Sequence, residues 1–409
     1  MDDRPKNLRS MLSEAKDTSD LMVDLAYAAV YFSDHDMAYE VRDLEEKMSE
    51  LVHQMRRVCI LASRRPREAE AMASVLQVVT SIERIANDAV DISRIVTHRL
   101  GIPDELIADL SGAEEVSHRL VVSEASDLAH RRLAELALPV ATGMRIVAVK
   151  SGREWATELD GDTVLVPGDT LFLRGGPSGI TRLRELAGVS ALAPRPPDAT
   201  GISDLDHAVD LLVEMKNISE VAVGLAYSAL VLQDRGLVAE VRHLEDRLDT
   251  MHDELELWVL RASRHDVDPS KLRGLLHLAQ AAEDLGDQAQ AMVWLLEHDE
   301  DVHPILRLAL GEADEVVMWC PVAEHSDAAG ASLGSLAFRV DSGFTVLAVQ
   351  RGGRYLYRPT GVTQLEASDE LIAHGPEEGR ARFAERCGWQ VTPDASGADI
   401  SLVPLDHQR

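Results

Sequence analysis

The chain has 409 residues, with 70 acidic against 41 Lys and Arg, a formal charge of −29 at neutral pH. That charge argues against nucleic acid, whose phosphates need Lys and Arg to displace counterions. It also argues against direct adsorption to anionic lipid, and high-salt adaptation is its other reading. Apolar residues make up 45% and aromatics 4%, so sizeable cores of Leu, Val, Ala and Met are expected, as in helix bundles, and the length predicts more than two domains.

From the N-terminus, Met1-Asp2-Asp3-Arg4-Pro5 has no apolar signal region. Apolar residues at Leu21, Met22, Leu25, Ala28, Ala29 and Phe32 mark one face of a first helix, interrupted at Ser33-Asp34-His35-Asp36. A second stripe runs Met37, Val41, Leu44, Met48, Leu51, Val52, Met55, Val58, Cys59, until Ser63-Arg64-Arg65-Pro66 stops it. A third runs Met72, Leu76, Val79, Ile82, Ile85, Ala86, Ala89, Ile92, Val96, and ends near Gly101-Ile102-Pro103. Short polar turns between them predict antiparallel packing. Alternation at Val116, His118, Leu120 and Val122 then predicts a strand, and residues 127–136 return to helical spacing. Residues 143–149 and 170–174 read as strands, Gly161-Asp162 and Pro167-Gly168-Asp169 as turns, and 180–186 as a short helix.

At residue 200 the chain starts again. Lys16 answers to Lys216, Ala26-Tyr27 to Ala226-Tyr227, Glu40-Val41-Arg42 to Glu240-Val241-Arg242, Glu83 to Glu283, Asp169 to Asp369 and Gly175 to Gly375. A gapless shift of 200 residues means that a two-part unit was duplicated, so the chain carries its own pseudo-twofold partner. The predicted architecture is α+β and multidomain: three-helix bundles at 8–108 and 205–308, small α/β domains at 109–187 and 309–387, a linker at 188–204 with Ala193-Pro194-Arg195-Pro196-Pro197, and a tail at 388–409 with few structural signals. Cys59, Cys320 and Cys387 lack metal-type spacing and point to a reduced, intracellular chain. No run approaches the roughly 18 apolar residues of a membrane span, so no direct membrane insertion is expected.

Glu83-Arg84-Ile85-Ala86-Asn87-Asp88-Ala89 and Glu283-Asp284-Leu285-Gly286-Asp287-Gln288-Ala289 resemble the signature helix of the PhoU family. Gly143-Met144-Arg145-Ile146-Val147-Ala148-Val149, followed by Pro167-Gly168-Asp169-Thr170-Leu171, resembles the TrkA C-terminal (RCK-C) domain, as does Gly343-Phe344-Thr345-Val346-Leu347-Ala348-Val349-Gln350-Arg351-Gly352-Gly353. Ser368-Asp369-Glu370-Leu371 stands at that family's G-D-x-L turn without its glycine. No strand followed by G-x-G-x-x-G marks a nucleotide-binding RCK domain. The resemblance implies a cytoplasmic regulator of potassium or other cation transport that works on a membrane channel or transporter, as a homodimer or an internal pseudo-dimer, and is peripheral to the membrane through that partner.

Two candidate sites follow. In the second bundle, Glu245 with Asp249 and Glu283 with Asp287 lie four apart on helix faces and suit a divalent metal. Their counterparts Glu45, Ser49, Glu83 and Asn87 lack the second acid of each pair, and Asp88 lies about 100° round the helix from Asn87. The plainer reading is a solvated acidic helix face. In the small domains the resemblance implies cyclic di-AMP, for which Val346, Val349, Arg351, Arg354, Arg358 and Pro359, with Lys150 and Arg153, are the candidates; here the plainer reading is interface charge. The family's Asn-x-Pro-like loop has only Tyr357-Arg358-Pro359 in its place. No G-x-x-x-x-G-K or H-E-x-x-H occurs, and the histidines are scattered, so no enzyme is expected. The alternative function is a metal-binding adaptor of phosphate-uptake signalling.

Overall fold

The computed structural model describes residues 7–63, 65–103, 106–107, 116–152, 154–157, 159–189, 203–264, 268–298, 302–311, 313–393 and 400–405. The linker sequence 193–197 and Arg153 lie outside the described residues. The chain divides into two compact units, Met1–Ala113 with Pro196–Ala313, and Glu114–Arg195 with Asp314–Arg409. Each unit therefore takes its halves from both copies.

The first unit is helical. Helices α1 (Leu8–Phe32), α2 (His35–Ala62) and α3 (Pro66–Thr97) form the first bundle. Their boundaries follow from local chemistry. Asn7 accepts from the Ser10 amide at 2.9 Å, Asp34 accepts from the amides of Asp36 and Met37, and proline opens α3 where its missing N–H is harmless. Ser33 leaves α1 in the left-handed conformation, φ 50°. The predicted stripes are the buried faces: Met22, Leu25, Met37, Met48, Met55, Ile82, Ile85 and Ile92 are almost wholly enclosed.

In the second copy, α7 (Asp204–Leu232), α8 (Arg235–Ala262) and α9 (Pro269–Glu297) repeat the pattern, capped by Ser203, Asp234 and Asp268. A further helix, α10 (Pro304–Leu310), packs on α1 and α7. Although no uninterrupted apolar run approaches the length of a span, α7 is long and apolar enough by length and composition to pass for one. Its apolar residues Leu212, Ile218, Leu225 and Leu230 are buried where it packs on α8 and α9, as those of a core helix are.

The copies join through α3 and α9. Gln77 donates to the Ala291 carbonyl at 3.3 Å, and the His303 amide donates to Ser74 Oγ at 3.2 Å. A Cβ on Gly274 would stand 1.9 Å from the Gly101 carbonyl oxygen, so α9 touches the first copy backbone to backbone.

The second unit holds two lobes. The first contains β1 (Val116–Val121), the short helices α4 (Leu133–Leu136) and α5 (Leu138–Thr142), β2 (Met144–Ser151), β3 (Glu154–Ala156), β4 (Thr170–Gly175) and α6 (Pro177–Leu186). Its antiparallel sheet has the order β1-β4-β2-β3. The second lobe repeats it with β5 (Glu315–Pro321), α11 (Leu333–Leu336), α12 (Phe338–Asp341), β6 (Thr345–Arg351), β7 (Arg354–Tyr357), β8 (Glu370–Pro376) and α13 (Arg380–Arg386), in the order β5-β8-β6-β7. Even the β-bulge recurs, at Ile146/Ala148 and Val346/Ala348. The architecture is thus two three-helix bundles, each followed by a small lobe with a four-stranded antiparallel sheet.

Three local readings change. Residues 127–136 are helical only at Leu133–Leu136, and 127–130 form a turn in which His130 sits at φ 59° and its amide donates to the Leu165 carbonyl at 2.8 Å. The edge strands β3 and β7, too short for a period to show, were not read. After residue 387 two strands pair antiparallel, β9 (Trp389–Pro393) with β10 (Ile400–Pro404), and Trp389, Val391, Ile400 and Leu402 pack on the second lobe's core.

Candidate functional site

The two lobes meet in a near-reciprocal contact between α5 and α12. A Cβ on Gly143 would stand 2.5 Å from the Arg339 carbonyl oxygen, and one on Gly343 would stand 3.6 Å from Pro139 Cβ. Arg145 adds an ion pair with Glu315 at 3.1 Å, and His374 Nδ1 lies 3.5 Å from the same carboxylate. Phe172 and Ile372, equivalent residues of β4 and β8, are buried without belonging to either lobe's own core.

The structure separates the predicted cyclic dinucleotide residues. Val349 is a core residue, 1% exposed, and Val346 packs on the same core. Arg351 turns inward: Nε and Nη2 donate to the two oxygens of buried Asp369 at 2.7 and 2.6 Å, Nη1 to Glu366 at 2.6 Å, and Nη2 also to the Gln364 carbonyl at 2.8 Å. These ion pairs hold the guanidinium above its usual range. Arg351 thus clamps the Asp369 turn while its side chain remains 41% exposed. The other candidates stay at the surface. Arg354 is exposed, Arg358 and Pro359 are half-buried, and the Arg358 amide bonds the carbonyl of the bulged Leu347 at 3.0 Å.

Lys150 lies over the ring of Trp155, 5.1 Å from its centroid, and Trp155 stacks on Phe172 at 5.0 Å. In the second lobe, Tyr355 stacks on Tyr357 at 5.2 Å. These aromatics of β3 and β7 were missed. The signal was their presence at one place in both copies of an aromatic-poor chain. Cations beside flat rings can hold phosphate and base together.

The helical unit places its acids on one seam. Glu245, 9% exposed, accepts from Gln290 Nε2 at 2.7 Å and is pushed up to about 7, first by burial and then by Asp249 and Asp287. Glu283 also rises to about 7, from burial and the charges of Asp287, Asp284 and Asp249. His252 Nδ1 stands 4.0 Å from it. The four predicted acids therefore share one field, although no group of three His, Cys, Asp or Glu among the described residues stands ready to hold a metal. In the first copy a guanidinium answers Glu83: Arg56 Nη1 donates to it at 3.2 Å. The counterpart of Arg56 is Glu256.

Sequence reasoning set Asp88 aside for pointing away from Asn87. That direction takes it into the α3–α9 seam, where it is 9% exposed and Oδ2 has no hydrogen-bond partner. Burial, then Asp284, Asp91 and Asp287, push it up to about 8.

The TrkA-C domain family model matches residues 118–188 and 317–388, and the PhoU domain model matches residues 12–96 and 212–293. No curated protein sequence matches the chain. Among solved structures, PhoU from Pseudomonas aeruginosa is 14% identical over 71% of this chain and 94% of its own, with a TM-score of 0.39. The GsuK RCK domain is 17% identical over 67% and 63%, with a TM-score of 0.18. BusR of S. agalactiae, solved with its busAB-promotor DNA, is 13% identical over 43% and 98%, with a TM-score of 0.18. Overlays this loose carry no argument for function. The domain pair itself suggests a regulatory role in ion transport. The chain carries a PhoU domain followed by a TrkA-C domain, twice over.

Proposed function

We propose that this protein is a non-enzymatic regulatory subunit of a potassium or other cation channel or transporter, and that the paired TrkA-C lobes sense a ligand such as cyclic di-AMP. The observation that supports this is the contact of lobe with lobe inside one chain, α5 against α12. A ligand that prefers one arrangement of two like modules can shift that arrangement and whatever the protein touches. The residues suited to phosphate and base are Lys150 beside Trp155, and Arg354 and Arg358 beside Tyr355 and Tyr357. Calorimetry of the full chain with cyclic di-AMP tests the ligand: binding is expected, weakened by Arg358→Ala and Lys150→Ala. The role is tested by rubidium uptake in cells with and without the gene, and unchanged uptake would remove it.

The shared field of Glu245, Asp249, Glu283 and Asp287 favours a second reading, a metal-binding adaptor of phosphate-uptake signalling. Elemental analysis of the purified protein would then show metal that Glu283→Ala and Asp287→Ala remove. Protein free of metal after loading with divalent cations rejects that reading.

A further inference from the structure

We propose that the hairpin tips of the helical unit, where α2 turns into α3 and α8 into α9, are contact points for an anionic lipid surface. At the end of α2 the buried stripe Met48, Val52, Met55, Cys59 gives way to Ile60 and Leu61, each 68% exposed. At the end of α8, Leu248, Met251, Leu255 and Val259 are buried, while Leu257 is 49% and Leu260 65% exposed. Positions 60 and 260 are equivalent, so both copies carry an aliphatic side chain in water at the same place. Folding gives no reason for this, because the helix's core-facing stripe is already complete.

The charge around these side chains points to the occupant. Among the described residues 54–63 and 65, Arg56, Arg57 and Arg65 are basic and none is acidic, in a chain of net charge −29. Arg56 is turned to Glu83, but Arg57 and Arg65 are exposed. The second tip is more mixed: residues 257–264 are free of acids, but exposed Asp253, Glu254 and Glu256 precede Leu257 on α8, so the charge match is carried mainly by the first tip. There Arg261 lies over the Trp258 ring, 4.5 Å from its centroid, and Arg264 is exposed. Exposed aliphatics flanked by arginine are what the interface of an acidic bilayer receives: the apolar chains enter the headgroup boundary and the guanidinium groups meet phosphate. The cytoplasmic loops of membrane proteins are themselves rich in Lys and Arg, so they match these tips less well than lipid phosphate does. The acidic remainder of the surface is repelled by such a bilayer, which confines contact to the tips and keeps it reversible.

The test is co-sedimentation of the full chain with vesicles of phosphatidylcholine alone and with phosphatidylglycerol added. Binding is expected only to the second, falling as salt is raised. Each exposed arginine changed to serine should lower partitioning about five-fold. Ile60→Ser with Leu61→Ser, and Leu257→Ser with Leu260→Ser, should each lower it further, with helicity by circular dichroism unchanged. Arg57→Lys should retain binding. Equal sedimentation with both vesicle types, or none with either, overturns the proposal. So does binding only to membranes that contain integral proteins, which would make the tips a protein-docking surface.

Discussion

Arg351 closes on the buried carboxylate of Asp369 through two parallel hydrogen bonds, Nε to Oδ1 at 2.7 Å and Nη2 to Oδ2 at 2.6 Å. In the first lobe the equivalent carboxylate, Asp169, is met by Ser151 Oγ at 2.6 Å, and each aspartate also accepts a backbone amide, from Val166 or Glu366. Arg351→Ala should lower the thermal stability of the second lobe by about 2 kcal/mol, a figure discounted for the exposed guanidinium. Arg351→Ser installs the first lobe's arrangement and should lose about half as much. Melting temperatures equal to wild type for both variants would show that the clamp is decorative.

Lys16 lies over the Tyr227 ring at 5.5 Å, and Lys216 over the Tyr27 ring at 5.2 Å, so each copy holds the other's tyrosine. The lysines are buried and pair with Asp20 and Glu220 at 2.8 Å. The Tyr227 hydroxyl faces Ser19, whose Oγ already donates to the Lys16 carbonyl at 2.8 Å, and makes no hydrogen bond of its own. Tyr227→Phe should therefore be neutral or stabilise by up to ~1 kcal/mol, whereas Lys16→Ala should destabilise by about 2 kcal/mol by stranding Asp20. Chemical denaturation separates the two, and a destabilised Tyr227→Phe would count against the reading.

Asp88 gives the seam a pH dependence. Its native carboxyl is held at about 8 against an ordinary 3.8, so the folded state keeps a proton that the unfolded chain releases. Its contribution is intact below about pH 4 and is lost as pH rises towards 8. Glu245 and Glu283, at about 7, act in the same direction. Asp88→Asn should raise stability at pH 8 by ~1 kcal/mol or more and change it little at pH 4. A stability gain independent of pH would contradict this.

Gly274→Ala puts a methyl group against the Gly101 carbonyl, whose own residue is fixed at φ 82°. Both contacts are backbone and cannot turn aside, so about 3 kcal/mol of destabilisation is expected. Gly286→Ala meets only the Leu248 side chain, at 2.5 Å, which can change rotamer; about 1 kcal/mol is expected. Thermal melts of both variants should rank in that order.

The sequence was most legible where a period repeats over many turns. The stripes from Met37 to Cys59 and from Met72 to Val96 are the buried faces of α2 and α3. The 200-residue shift is kept in strand register: Val116 pairs with Gly175 as Val316 pairs with Gly375. Long-range partners were not legible. Asp369, further along the chain, decides where the Arg351 guanidinium is held, and no local pattern reports that. The field at Asp88 was only partly legible: Asp91 lies on its own helix, but Asp284 and Asp287 belong to the other copy.

Asp88 against Asp284 has a consequence for the tandem design. The residue equivalent to Asp284 is Arg84, so a pair of identical first copies would set this carboxylate against a guanidinium and lose the repulsion. Only unlike halves produce it. Covalent fusion guarantees that every molecule assembles the unlike combination, whereas two free chains would also form the like-with-like pairs. Duplication followed by drift has given this protein an asymmetric centre that a symmetric dimer has no means to build.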